Sequence, residues 1–192
     1  MYPKKISRED LEKMVIRNFE GRIVLVENFK NFNERINNLL NKKVLGFDTE
    51  TRPSFKKGNV NSVSLLQLSD GDTTYLFRLN KIGLPGSIIK LLKNPQIIKV
   101  GVAIHDDLIA LRRLKNFNPA GFIELQTMVK NIGIESVGLK YICGIVLGFR
   151  ISKAQQLSNW EQDILDRKQL RYAATDAWIP LEIYNKLTTQ LN

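Results

Sequence analysis

Val44 to Thr51 reads V-L-G-F-D-T-E-T, an apolar run that ends in two acids. That ending limits the possible folds more than any other feature of the chain. A strand alternates faces with period two, so Asp48 and Glu50 point to the same side. Side by side the two like charges repel, and burying an ionised carboxylate without compensation costs several kcal/mol. Val44, Leu45 and Phe47 place the start of this strand inside a sheet. Its far end must then open onto positive charge, either a Lys or Arg side chain or a metal ion.

The pattern around this strand is one of mixed α and β elements. Ser7 to Phe19 reads as a short amphipathic helix, capped by Ser7, with Leu11, Met14 and Val15 on one face. Arg22 to Val26 reads as a strand. Asn28 to Leu40 carries Phe29, Phe32, Ile36, Leu39 and Leu40 at helical spacing. Val63 to Leu68 and Thr74 to Leu79 are strands joined through the Asp-Gly turn of Ser69 to Thr73, a hairpin. A helix follows Pro85, Gln96 to Gly101 is a short buried strand, and Asp107 to Leu114 is a helix with an acidic start and a basic end. Phe122 to Leu125 is a last strand, and the chain from Gln126 onward reads as mostly helical. This order predicts an α/β domain with a mixed sheet. With 192 residues, no repeat and no linker, the expectation is one domain over 1–192, its core at about 22–187 and the helix at about 7–19 an extension.

Charge and composition narrow the partners. Lys plus Arg number 29 against 19 acids, a net charge of +10, which favours an anionic partner such as nucleic acid. The plainer account is a basic chain kept soluble by its charge. Cys143 is the single cysteine, sits in the apolar run Y-I-C-G-I-V-L and reads as a buried core thiol. The first residues lack the apolar core of a signal peptide, and no run approaches the roughly twenty apolar residues of a membrane span. The expected location is intracellular, in the cytoplasm.

Two further segments carry acids where chemistry would use them. In L-R-Y-A-A-T-D-A-W, Tyr172 and Asp176 are four apart and share a helix face, while Ala173 and Ala174 allow a neighbour to approach closely. Pro180 leaves the Asp176 carbonyl without its helical donor and is expected to kink the helix there. A surface Asp and a core Tyr would explain the same letters. In K-V-G-V-A-I-H-D-D-L, Asp106 and Asp107 follow a strand and open a helix, and capping alone would explain either acid.

Other site chemistries fail on residue supply. His105 is the only histidine, which removes His-Cys zinc sites and the two-His-one-carboxylate iron site. No G-x-S-x-G, Walker-type or G-x-G-x-x-G segment occurs. What remains is Asp48, Glu50, Asp107 and Asp176. Such an all-oxygen set suits two divalent cations, magnesium or manganese, and acids around paired cations are an arrangement that cuts phosphodiesters.

Together F-D-T-E-T, V-G-V-A-I-H-D-D-L-I-A-L and Y-A-A-T-D-A-W resemble the three motifs of the DEDD superfamily of 3′–5′ exonucleases. Tyr172 gives the likeness to the DEDDy branch, because the other branch has a His five residues before the last Asp, where this chain has Arg171. Within that branch the chain is similar to ribonuclease D and to the exonuclease domain of the Werner syndrome protein. V-S-L-L-Q-L and L-S-N-W-E flank the motifs accordingly, and the likeness runs from about Arg22 to Leu187. The helical domains of ribonuclease D and the helicase of the Werner protein lie outside it, so added targeting and processivity are expected to come from a partner or to be absent.

The resemblance implies a ribonuclease H-like fold with a five-stranded mixed sheet flanked by helices. It implies that Asp48, Glu50 and Asp176 bind one metal, that Asp48 bridges to a second held by Asp107, and that Tyr172 orients the attacking water. It places Thr49 and Thr51 near the terminal nucleotide, and it selects Asp107 over Asp106. The implied activity is removal of nucleoside 5′-monophosphates from a DNA or RNA 3′ end. Lys56 and Lys57, with Arg112, Arg113 and Lys115, could hold phosphates, or could equally form solvated faces. The alternatives are a catalytically silent nucleic-acid-binding module on this fold and a small-molecule phosphodiesterase using the same metals.

Overall fold

The computed structural model describes residues 2–54 and 61–189; the lysines at 56 and 57 lie outside them. In chain order the elements are α1 (Arg8–Lys13), β1 (Arg22–Val26), α2 (Phe32–Leu40), β2 (Val44–Thr51), β3 (Val63–Ser69), β4 (Thr73–Arg78), α3 (Leu79–Ile82), α4 (Gly86–Leu92), β5 (Ile98–Gly101), α5 (Ile104–Leu114), β6 (Phe122–Glu124), α6 (Leu125–Asn131), α7 (Leu139–Leu147) and α8 (Arg167–Thr189). Among the described residues the sheet has six strands rather than five, in the order β1-β4-β3-β2-β5-β6. The short β6 still pairs parallel to β5 from Lys99↔Phe122 to Gly101↔Glu124, and β1 pairs parallel to β4 at the other edge. β3 runs antiparallel to both β2 and β4, which makes the sheet mixed.

Alternation divides the core. Phe47, Leu66, Leu68 and Phe77 face Ile36, Leu39, Ile88 and Leu111 of α2, α4 and α5. On the other face Leu65 and Leu76 meet Trp160, Tyr172 and Ala173, while Val100 meets Ile142, Ile179 and Ile183 of α7 and α8. β3 is buried along its whole length because both faces are covered. The small residues of α8 matter at one point above all. A Cβ on Gly46 would lie 1.8 Å from the Ala177 carbonyl oxygen, so the helix backbone rests directly on β2 at glycine. That approach brings Asp176 down beside Asp48.

Tertiary contacts reset several boundaries. Ser7 caps α1 through the Asp10 N–H, but the helix stops at Lys13 instead of Phe19, because Ile16 bridges to Arg150 and Arg17 N–H donates to the Arg150 carbonyl. Asn31 takes a left-handed conformation, so α2 starts at Phe32 and Phe29 stays 63% exposed, edge-on to Phe32. β4 ends at Arg78, one residue before the expected end, where α3 begins. Helix does not fill the chain after Gln126: Gly148, in the left-handed region, ends α7, and an irregular segment runs over 148–166. Buried Ile151, Trp160 and Leu165 pin it, and the buried Arg78 donates to the Asp163 carbonyl at 2.7 Å and to that of Gln162. α8 continues through Pro180 to Thr189 as one helix. Cys143 is buried as expected, with its Sγ donating to the Phe149 carbonyl at 3.1 Å, and burial pushes its thiol up to about 12. No helix among the described residues is long and apolar enough to cross a membrane.

Candidate active site

The carboxyl ends of the adjacent parallel strands β2 and β5 form a crevice, the usual place for a ligand in an open α/β sheet. Asp48 and Glu50 project from the end of β2 on one face, as period two requires. α8 brings Asp176 onto that face, so single oxygens of Asp48, Glu50 and Asp176 lie within 4.8 Å of one another. Asp176 is only 3% exposed, and among the described residues its Oδ1 has no hydrogen-bond partner. Tyr172 lies one turn before it, 6% exposed, packed on Trp160.

Asp107 stands slightly apart. It lies in the first turn of α5, and its Oδ1 accepts the Thr49 hydroxyl hydrogen bond. Neither Asp107 nor Asp106 caps this helix. Ala103 occupies the cap position in a left-handed conformation, and the Glu124 carboxylate from the end of β6 accepts the N–H groups of Ala103 at 3.0 Å and Ile104 at 2.9 Å. Because α5 starts at Ile104, both acids are inside its first turn, and Glu124, not Asp107, serves the helix start, while Asp107 accepts the Thr49 hydroxyl. Sequence reasoning missed Glu124, whose role depends on a strand edge meeting a helix start.

It also missed Lys153. The irregular segment carries this lysine into the acids, where Nζ donates to Asp176 Oδ2 at 2.7 Å and lies 5.3 Å over the Tyr172 ring. It is the Lys-or-Arg answer to the crowding at the end of β2, but one cation faces three carboxylates. The resulting field is strongly proton-binding. Burial, then Asp176 and Asp107, pushes Asp48 well above the usual carboxylate range, with Lys153 opposing. Burial, then Asp48 and Asp176, pushes Glu50 up to about 10, and burial pushes Asp107 up to about 6. Burial also raises Asp176 against Lys153. Burial, then Asp176 and Glu50, pushes the Tyr172 phenol up, so it stays protonated.

Two clefts flank the acids. One, about 370 Å³, is lined by Asp48, Asp176, Lys153, Lys140, Tyr141 and Gln156. The other, about 470 Å³, is lined by Thr49, Thr51, Arg52, Asn61, Asp107 and Arg113, with Asp106 exposed at its rim. The floor between these clefts is acidic and their rims are basic. Three clustered carboxylates with an unpartnered buried oxygen and no imidazole or thiolate fit a hard divalent cation.

The fold is of the ribonuclease H-like class. The chain belongs to the 3′-5′ exonuclease family, whose model matches residues 23–192. It is 36% identical over 151 residues to the mouse (Mus musculus) bifunctional 3′-5′ exonuclease/ATP-dependent helicase WRN, covering 75% of this chain and 11% of that protein. It is 30% identical over 130 residues to ribonuclease D of Haemophilus influenzae, covering 67% of this chain and 33% of that one. The crystal structure of the Aedes aegypti Nibbler EXO domain superposes with a TM-score of 0.81 at 27% identity, covering 92% of each chain. The chain therefore spans well under half the length of these curated relatives, and the resemblance in the three motifs extends to the whole fold.

Proposed function

We propose that the chain is a two-metal 3′–5′ exonuclease, a single nuclease domain that removes nucleoside 5′-monophosphates from the 3′ end of DNA or RNA. The observation that carries this is the meeting of Asp48, Glu50 and Asp176 in one buried cluster of a family of exonucleases. Asp48, Glu50 and Asp176 would hold one magnesium or manganese ion, and Asp48 with Asp107 a second. Bound there, the cations would supply a water of lowered pKa and charge neutralisation at the phosphoryl group.

The residues of the chain divide the remaining work. Tyr172 keeps its proton, so its hydroxyl orients water rather than removing a proton from it. Thr49 holds Asp107 by its hydroxyl, which makes Thr49 a support of that carboxylate as well as a wall of the cleft. Thr51, Arg52 and Arg113 line the side where the terminal nucleotide would lie. Lys153 holds Asp176 in place and offsets part of the floor's charge, and Lys140 adds a cation on the same rim. Burial of Tyr172 and Asp176 under the irregular segment limits access of bulk water.

Product analysis tests the proposal. Incubation of a single-stranded oligonucleotide with the protein and Mn²⁺ should release nucleoside 5′-monophosphates, identified by mass spectrometry, from the first time points. Nucleoside 3′-phosphates or internal fragments would contradict it. A salt-sensitive gel shift with no product of any kind would favour the silent binding module, and cleavage of a mononucleotide diester alone would favour the small-molecule hydrolase.

A further inference from the structure

Among the described residues, five buried side-chain atoms lack a hydrogen-bond partner. Asp176 Oδ1 is one, and both amide atoms of Gln67 are two more. Gln67 is fully buried in β3 and stands directly opposite Asp48 of β2. Opposed residues of an antiparallel pair share a face, with Cβ atoms about 4.5–5.5 Å apart. The amide therefore lies on the acid-bearing face, beneath α8, while Leu66 and Leu68 point into the opposite core.

Among the described residues no side chain or backbone group hydrogen-bonds this amide. On the same face Thr74 donates to Ser69 at 2.9 Å, and Trp160 Nε1 and Arg78 Nε remain unpartnered without turning to Gln67. A buried donor and acceptor left unmade oppose folding, whereas an apolar side chain of the same shape would not. A residue that costs stability while standing opposite a clustered carboxylate is a candidate for the work of the site.

We propose that Gln67 is a positioning residue for the acidic cluster, its amide N–H donating to the Asp48 carboxylate when that group ligates a divalent cation. Within the fold this carboxylate draws on the Thr49 backbone N–H. A ligating carboxylate commits one oxygen to the cation and needs a fixed donor on the other to hold its plane. Gln67 is an uncharged side-chain donor on the Asp48 face, and it adds no repulsion to the cation. The inference rests on the reading of Asp48 as a metal ligand.

Gln67→Met keeps the length of the side chain and removes its polar atoms, and Gln67→Leu repeats the test with a different shape. Metal-free, either variant should melt about 2–4 °C above the parent. Each should bind Mn²⁺ about tenfold more weakly by calorimetry, and lose turnover at saturating oligonucleotide with KM unchanged. Parental Mn²⁺ affinity in both variants overturns the inference alone, and a lowered melting temperature with that affinity makes Gln67 a core residue. Failure of the parent protein itself to take up Mn²⁺ overturns both the inference and the reading beneath it.

Discussion

Lys99 on β5 and Asp48 on β2 belong to neighbouring strands, and the fold treats their buried charges in opposite ways. Lys99 is fully buried, and burial pushes its amine down to about 8. Yet its three donors are all used, on the carbonyls of Leu91 at 3.3 Å, Asn94 at 2.8 Å and Ile97 at 2.7 Å, with the Phe122 ring 4.9 Å away. It closes the carboxyl end of α4, where a helix favours a cation. The acids at the end of β2 have no such closure: one lysine faces three carboxylates, and Asp176 Oδ1 and the Gln67 amide go unmatched. A charge that the chain satisfies by itself is part of the architecture. A group of charges that it leaves unmatched awaits something from outside.

The largest expected effect separates the two regions by activity. Asp48→Ala should lower cleavage by about a thousandfold or more, about 4 kcal/mol of transition-state stabilisation, while the metal-free protein keeps its melting temperature or gains a few degrees, because a repelling acid is gone. An unfolded Asp48→Ala protein would make Asp48 part of the architecture, like Lys99. Lys99→Met should do the reverse. It removes a buried donor shared by three carbonyls, of which those of Leu91 and Asn94 keep backbone partners, and should cost about 1–3 kcal/mol in denaturant melts, with kcat/KM of the folded fraction unchanged. Tyr172→Phe should slow turnover about 10- to 100-fold with Mn²⁺ affinity unaltered, and an equal loss of metal affinity would contradict the water-orienting role.

The smallest effect concerns pH, and the two regions pull in opposite directions. Glu50 binds its proton more tightly folded, at about 10, than unfolded, so its contribution is whole below the ordinary carboxylate range and is lost as pH rises toward the folded value. Asp107 adds the same trend at lower pH, up to about 6. In EDTA the melting temperature should fall from about pH 6 to about pH 8, and Mn²⁺ should flatten that fall. Lys99 binds its proton less tightly folded than unfolded, so above about pH 8 it contributes stability that grows with pH toward the ordinary lysine value. Glu50→Gln should remove the first trend and Lys99→Met the second; identical pH profiles in all three proteins would contradict both assignments.

The same contrast explains what could be read from the chain alone. The acids of β2 and the Tyr172–Asp176 face were readable because periods of two and four fix which side chains share a side. The six strands were readable as apolar runs, although the family likeness alone gave five. Lys153 was not, because it rides an irregular segment without periodicity and reaches Asp176 only when Trp160, Leu165 and Arg78 hold that segment in place. Glu124 and Gln67 were equally silent. One caps a helix from a strand that lies after that helix in the chain, and the other looks like any polar residue in a strand until its pairing with Asp48 is known. The overlong α1 failed for the same reason, since Val15 to Arg17 follow a partner at Arg150 rather than their own helical spacing.

The measurement that bears most directly on the acids of β2 is a time course on 5′-labelled single-stranded DNA and RNA, with a recessed duplex beside them. It would be run in Mg²⁺, in Mn²⁺ and in EDTA, for the parent protein and for Asp48→Ala. The predicted result is a ladder that shortens from the 3′ end in the presence of metal, is absent in EDTA and is absent in the variant. A ladder that persists in EDTA, or in Asp48→Ala with metal, would contradict the assignment of this cluster as the catalytic centre.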